Sequence, residues 1–430
     1  MIKSKTTLAS GEGISKVLTI TNQNNVYEAT PSEVMEGATP SPAVGAIATQ
    51  YTLEESSSPA INLSNRGAAE LYQAQMGGHM FLIKNGKVYA AKLNGSNWDR
   101  FADGTPVTNP ELFECMVKVP DCHFKGQGKH MDFGGLTPID GGKTFGSPHW
   151  VGAYLMGYPA NGSNGTNDWH SRPGYKPAHS KTMKTFWDRV QANLGSEWGL
   201  ANYGFFCLIN ALYQARYGNL NAQATIGAGF QHSNWEACRD VPTGLLKHLG
   251  DGSGSVLYND STLGDQYPVK LFGFEDLWGK LWEFRPGIRF YMDGQTRKAV
   301  VYNGNIVSNT VSKSDAAFDH EFECLSAASG NYIVSMQCGE FWDMICQSVS
   351  GGSATTYYCD GYWAATGGEL LSVGGDASYG ALCGLSISAS GLAFSRSPSN
   401  LGARLAFYGE PEIVSGAELM ALSATRPIAS

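Results

Sequence analysis

Three observations on this chain predict an α+β fold. Two stretches carry a helical pattern, residues 181–194 and 205–219, and they are embedded in a strand- and loop-rich sequence. Beyond residue 255 the pattern changes to short apolar runs divided by Gly, Asn, Asp and Ser. The 53 Gly, 10 Trp and 20 Tyr among 430 residues suit tight turns and large aromatic contacts rather than a helical bundle. A hydrophobic content of 42% with 16% charged residues is that of a folded chain, long enough for two or three domains.

Taken in order, residues 1–62 read as an extended arm or linker. Their "ATPSEVMEGATPSPAVGAIATQYTLEESSSPAIN" is rich in Pro, Ser, Ala and Thr, shows no helical period and holds little apolar area to bury. Residues 63–112 form a small β-rich segment, whose "HMFLIKNGKVYAAKL" (79–93) sets two alternating apolar runs around Asn85-Gly86. That dipeptide predicts a type I′ hairpin, because both central residues need positive φ. "FECMVKVPDCHF" (113–124) opens the larger domain, 113–430. In the helix over 205–219, Phe205, Leu208, Ile209 and Leu212 recur at a spacing of 3–4, and Gly218-Asn219 supplies the stop. No repeat of 20–50 residues is present.

Charge and motifs exclude several functions. With 30 Lys and Arg against 38 Asp and Glu, the chain has no basic stripe for a nucleic-acid backbone. No apolar window of about 18 residues predicts insertion into a membrane. The start, "MIKSKTTLAS", lacks the apolar stretch of a secretion signal, so synthesis in the cytoplasm is expected. Nine scattered Cys without a CxxC pair read as free buried thiols. Nine His without HxxxH or HExxH give no metal expectation, and no cofactor is expected. "GDGSGS" (250–255) lacks the Lys-Ser/Thr of a phosphate loop and reads as a surface loop.

The densest stretch is "LFGFEDLWGKLWEFRPGI" (271–288). Its glycines and Pro286-Gly287 break any helix, which leaves a tight loop locked by Trp278 and Trp282. Glu275, Asp276 and Glu283 offer carboxylates for acid–base or metal chemistry, but Glu283 reads better as a cap on buried backbone amides. "YGNLNAQATIGAGF" (217–230) is a turn whose Asn and Gln satisfy their own backbone, with sugar binding the competing reading.

These residues carry a resemblance. "FGFEDLWGKLWEF" resembles the Gly-x-x-x-x-x-Trp-Gly-x-x-Trp-Glu-Trp signature of the formylglycine-generating-enzyme type of C-type lectin fold, with Phe284 in the last aromatic place. "RYGNLNAQATIG" and "SPHWVGAYLMGY" are similar to segments of gut-phage and Bacteroidales members of that fold. "GGELLSVGGDASYGALCGLSISASGLAFSRSPSNLGARLAFYG" resembles the variable region of proteins diversified by retroelements. The likeness spans roughly residues 113–409. In such proteins randomised adenines bias the surface toward Tyr, Ser, Asp, Gly, Leu and Phe. From Ser348 to Tyr408 there is no Lys, Gln or Met, and Trp363 and Glu369 are the exceptions, read as framework.

The resemblance implies a binder rather than an enzyme. The copper-binding Cys pair of the enzymes is not matched, since Cys338 and Cys346 stand eight apart, and the HxxxHxE iron site of sulfoxide synthases is missing. The expectation is a receptor-binding protein at a phage tail fibre or tail tip, located in the virion. Its partners would be a bacterial surface receptor, protein or glycan, and other tail proteins through the arm, with a homo-oligomer, trimer favoured. A cellular adhesin with the same domain and a non-diversified structural virion protein are the alternatives.

Arg404 to Tyr408 is expected to be a core strand. Residues 355–394 are expected to expose Tyr357, Tyr358, Asp360, Tyr362, Ser378, Tyr379, Leu382, Ser386, Ser388 and Leu392 as the ligand-binding patch. Alternation sets Tyr358 and Tyr362 on one side and Tyr357 and Trp363 on the other, so part of this set is core.

Overall fold

Asn85 and Gly86 both adopt positive φ, 52° and 74°, and turn the first hairpin as their sequence requires. In this computed structural model, which describes residues 18–22, 25–29, 48–53, 56–302, 304–311 and 318–424, the body is mixed α+β. The hairpin is not a segment apart. Its strands Gly77–Lys84 and Lys87–Lys92 belong to a seven-stranded sheet. Across that sheet run Trp198–Leu200, Arg404–Phe407, Trp150–Leu155, Glu114–Lys118, the two hairpin strands and Glu412–Ile413. Every pair is antiparallel except the last. The expected boundary at residue 112 therefore falls inside one sheet, because the hairpin hydrogen-bonds the strand that was to open the next domain.

The expected arm shortens too. Thr49–Thr52 pairs antiparallel with His130–Gly135, and Tyr51 and Leu53 are buried. Tyr51 donates its hydroxyl to Gln214 Oε1 at 3.0 Å and meets Trp342 edge-on. Ile61 N–H donates to Gly218 O, and Leu220 N–H donates to Pro59 O. Residues 48–53 and 56–62 are thus part of the body, and their polar composition conceals a few buried anchors. The arm before residue 48 lies outside the described residues, apart from the paired strands Leu18–Asn22 and Asn25–Ala29.

Both sequence helices form. Met183–Leu194 is capped by Thr182, whose Oγ1 accepts from Thr185 N–H. Tyr203–Tyr217 is capped by Asn202, whose Oδ1 accepts from Phe205 N–H at 3.0 Å. This helix is buried around nearly its whole circumference, well beyond the single face its spacing implied. It packs against the strands Thr49–Thr52 and Asp343–Ser348, and Gln214 meets both through Tyr51 and Met344.

A second, six-stranded sheet orders Ala328–Tyr332, Gly361–Ala364, Ser388–Leu392, Leu370–Val373, Trp282–Arg285 and Leu401–Gly402. Leu401–Gly402 continues through Ala403 into Arg404–Phe407, so one run of chain serves both sheets. Arg404–Phe407 is buried, and the core strand ends one residue short of expectation. Tyr408 is 37% exposed, its hydroxyl donating to Leu200 O.

The seam between the sheets is ionic. Arg404, fully buried, donates from Nε and Nη2 to the two carboxylate oxygens of Glu283, each at 3.0 Å. Its remaining donors reach the carbonyls of Gly152, Ala153 and Glu275. Arg285 Nη1 also donates to Glu283. Burial alone would push the Glu283 carboxyl up, but the two guanidiniums outweigh it and hold it below the usual range. The amide-capping role expected of Glu283 belongs to Glu275, which accepts from the N–H groups of Gly244, Leu245 and Leu246. Trp278 and Trp282 are buried as expected, at 0% and 5% exposure. All nine thiols are free, and only Cys324 is partly exposed. The 250–255 loop is half-buried rather than superficial, since Asp251 accepts from Gly78 N–H and Trp98 Nε1.

Candidate ligand-binding site

The face of the second sheet holds a groove of about 310 Å³. Its walls are Trp282, Trp363, Tyr379, Leu392 and Pro398, with Asn400 at one side. The three large rings form one cluster. Trp363 and Tyr379 meet edge-to-face at 4.8 Å, and Trp282 meets them at 5.7 and 5.4 Å. Among the described residues no charged side chain lines the groove. Two of its polar groups are already engaged, Ser372 Oγ donating to Ala389 O and Asn400 Nδ2 to Asp376 Oδ2. Such a surface gives up its water readily and receives an uncharged, largely apolar group.

Each expected patch residue now has a place. Ser378 is exposed, and Tyr357, Tyr379, Leu382 and Leu392 are half-buried. Of these, Tyr379 and Leu392 line the groove. The other five are buried and correct the expectation. Tyr358 is packed in the main core. Tyr362 points inward, and its hydroxyl shares a 2.7 Å hydrogen bond with Ser390 Oγ. Ser386 donates to Asn210 Oδ1 on the long helix, and Ser388 is fully buried one alternation further. Asp360 accepts from Ser386 N–H at 2.8 Å, and burial pushes its carboxyl well above the usual range. The reason is shared: these side chains occupy the inward positions of their strands and loops, where Tyr362, Ser386 and Asp360 find hydrogen-bond partners inside the protein.

Trp363 and Trp282 are the wall residues that sequence reasoning set aside as framework and loop core. The signal for Trp363 was in the alternation, which put it opposite Tyr362. For Trp282 there was none, because its stretch read as loop core and its ring is only 5% exposed.

A second concavity, about 350 Å³, lies at the start of the long helix. There Tyr203 donates its hydroxyl to Asp343 Oδ1 at 2.9 Å, while His320 bonds Asp343 through Nε2 at 2.8 Å and Asp319 through Nδ1 at 3.1 Å. Burial lowers the affinity of His320 for its proton, but the two carboxylates overcome this and raise its pKa. Both ring nitrogens are thus engaged with carboxylates, an arrangement that favours the charged ring. Burial pushes the Cys207 thiol and Tyr203 phenol up, so neither is a nucleophile at neutral pH. The constellation joins the strand Phe318–Glu323 to the strand Asp343–Ser348 and to the helix. Among the described residues no group of three or more His, Cys, Asp or Glu is placed to hold a metal ion.

Set beside known proteins, the chain matches no family model and no curated sequence.

Proposed function

We propose that this chain is a phage-tail receptor-binding protein of the C-type lectin fold, formylglycine-generating-enzyme type. It engages a bacterial surface ligand through the aromatic groove of its second sheet. The observation that carries the reading is the groove itself: uncharged, aromatic and built largely from the 367–409 stretch that resembles a retroelement-diversified region. The fold assignment draws support from the seam. The signature's Glu283 and the Arg404 of the terminal Gly-x-Arg-Leu-x-Phe strand, two separate elements of the resemblance, are joined by a paired hydrogen bond. In this reading residues before 48 attach the protein to the virion, several copies act together, and avidity compensates for modest affinity at each groove.

The test replaces Trp363, Tyr379 and Leu392 singly with Ala and measures binding to bacterial cells that the parent protein binds. Binding should fall sharply while the melting temperature stays within about 5 °C of the parent. Variants that bind as the parent does would remove the groove from the reading.

A further inference from the structure

We infer that Gln223 is a positioning residue for the groove, setting the turn that carries Tyr379; the inference rests on the groove reading above. The turn runs from Asp376 to Cys383 as two short helical pieces, broken at Gly380 with φ 54° and ψ −124°. Nothing would touch a Cβ at Gly380, so its glycine serves conformation rather than space. A break of this kind leaves the orientation of the turn's peptides to outside contacts. At the start of the turn that contact is Asp376, whose Oδ1 accepts from Ser378 N–H and Oγ, and whose Oδ2 accepts from Asn400 on the groove wall.

At the end of the turn it is Gln223. Its Nε2 donates to Cys383 O at 2.6 Å and to Gly380 O at 3.0 Å, the carbonyls on either side of the residue pair that closes the turn. A primary amide has two N–H donors, so these two contacts use both, and Ala228 O at 3.4 Å is at the margin. Gln223 itself is held firmly. It sits in the one-turn helix Ala222–Thr225, whose cap Asn221 accepts from Ala224 N–H, and Ala222 beside it is fully buried. Asn221 N–H in turn donates to Asn219 Oδ1, so the chain from the long helix to Gln223 is pinned at each step. Gln223 is not among the residues lining the groove. Its effect on a ligand passes through the backbone of 380–383 to the Tyr379 ring, which is locked edge-on to Trp363 and Trp282.

The experiment compares the parent, Gln223→Leu, Gln223→Lys and Trp363→Ala in full-length protein, reading cell binding, melting temperature and amide hydrogen exchange. Leu keeps the size of Gln and removes both donors; Lys restores donors. Gln223→Leu should weaken binding by about tenfold, the scale of lost pre-organisation. It should also speed exchange within 377–383 alone, with Gln223→Lys recovering part of both. Parental binding by Gln223→Leu, beside lost binding by Trp363→Ala, overturns the positioning role and leaves the groove standing. Exchange that accelerates across both sheets together also overturns it, because Gln223 is then a general stabiliser. Parental binding by Trp363→Ala overturns the groove reading, and the inference with it.

Discussion

The seam between the sheets and the outer half of the second sheet are buried to a similar depth but held by different chemistry. The seam depends on full charges: Glu283, Arg404 and Arg285 are all at 2% exposure or less. The outer half, strands Gly361–Ala364 and Ser388–Leu392, presents mainly hydroxyls and small side chains, with Tyr362, Ser388 and Ser390 buried, and the one guanidinium that reaches it, Arg297, meets a hydroxyl and carbonyls there rather than a carboxylate. A buried ion pair cannot lose one member without stranding the other, whereas a hydroxyl removed with its partner satisfied elsewhere costs little. The difference teaches where substitution is tolerated. The charged seam fixes the body, and the hydroxyl-lined half lets side chains above it vary.

The comparison breaks most visibly at Arg404. Arg404→Leu leaves Glu283 with Arg285 alone and strips three carbonyls of their donor, so stability should drop by about 3–5 kcal/mol. Urea unfolding reads this directly, and a loss near zero would mean that the seam is not the lock described.

A second charged cluster sharpens the contrast through pH. His170 shares Glu114 with Arg172 and also bonds Asp168. Burial opposes its charge, but Glu114 and Asp168 prevail and raise its pKa to about 9. A raised pKa contributes stability that is complete below the unfolded value near 6.5 and is lost as pH climbs through about 9, worth at most about 3 kcal/mol. Lys270, lowered to about 8 by burial, titrates in the opposite sense. The readout is therefore the difference between parent and His170→Gln across pH 6–9.5, which should shrink as pH rises. A constant difference would contradict the ion-paired state.

The smallest effects belong to the outer half. Tyr362→Phe gives up one hydroxyl bond to Ser390 and should cost about 1 kcal/mol. Ser388→Ala removes a buried hydroxyl that has no partner among the described residues, and should be neutral or slightly stabilising. If Ser388→Ala cost as much as Arg404→Leu, the contrast between the regions would collapse.

The elements legible in the sequence were those whose cause is local. Asn85-Gly86 specifies its own turn, Gly218 its own helix stop, and the packing of Trp278 follows from glycines around it. Alternation also separated Tyr358 and Tyr362 from Tyr357 and Trp363, but did not say which pair faces inward. What was hidden depends on remote partners. Ser386 reads as surface until Asn210, far away in sequence, meets it across the core. Tyr51 reads as part of a polar arm until Gln214 and Trp342 enclose it. Composition cannot tell a hydroxyl satisfied inside from one satisfied by water, and for that reason half of the expected patch turned out to be core.

The strand Thr49–Thr52 has a mechanical consequence. Among the described residues it is the first strand to join the body, and its four residues pair in register with His130, Met131, Asp132 and Phe133. A pull on residue 48 along the strand axis strains all these rungs at once, in shear, instead of peeling them singly. This strand is thereby a strain-bearing anchor, and the tension it carries passes into the sheet at Phe133 and the long helix at Gln214 before any of it reaches the groove.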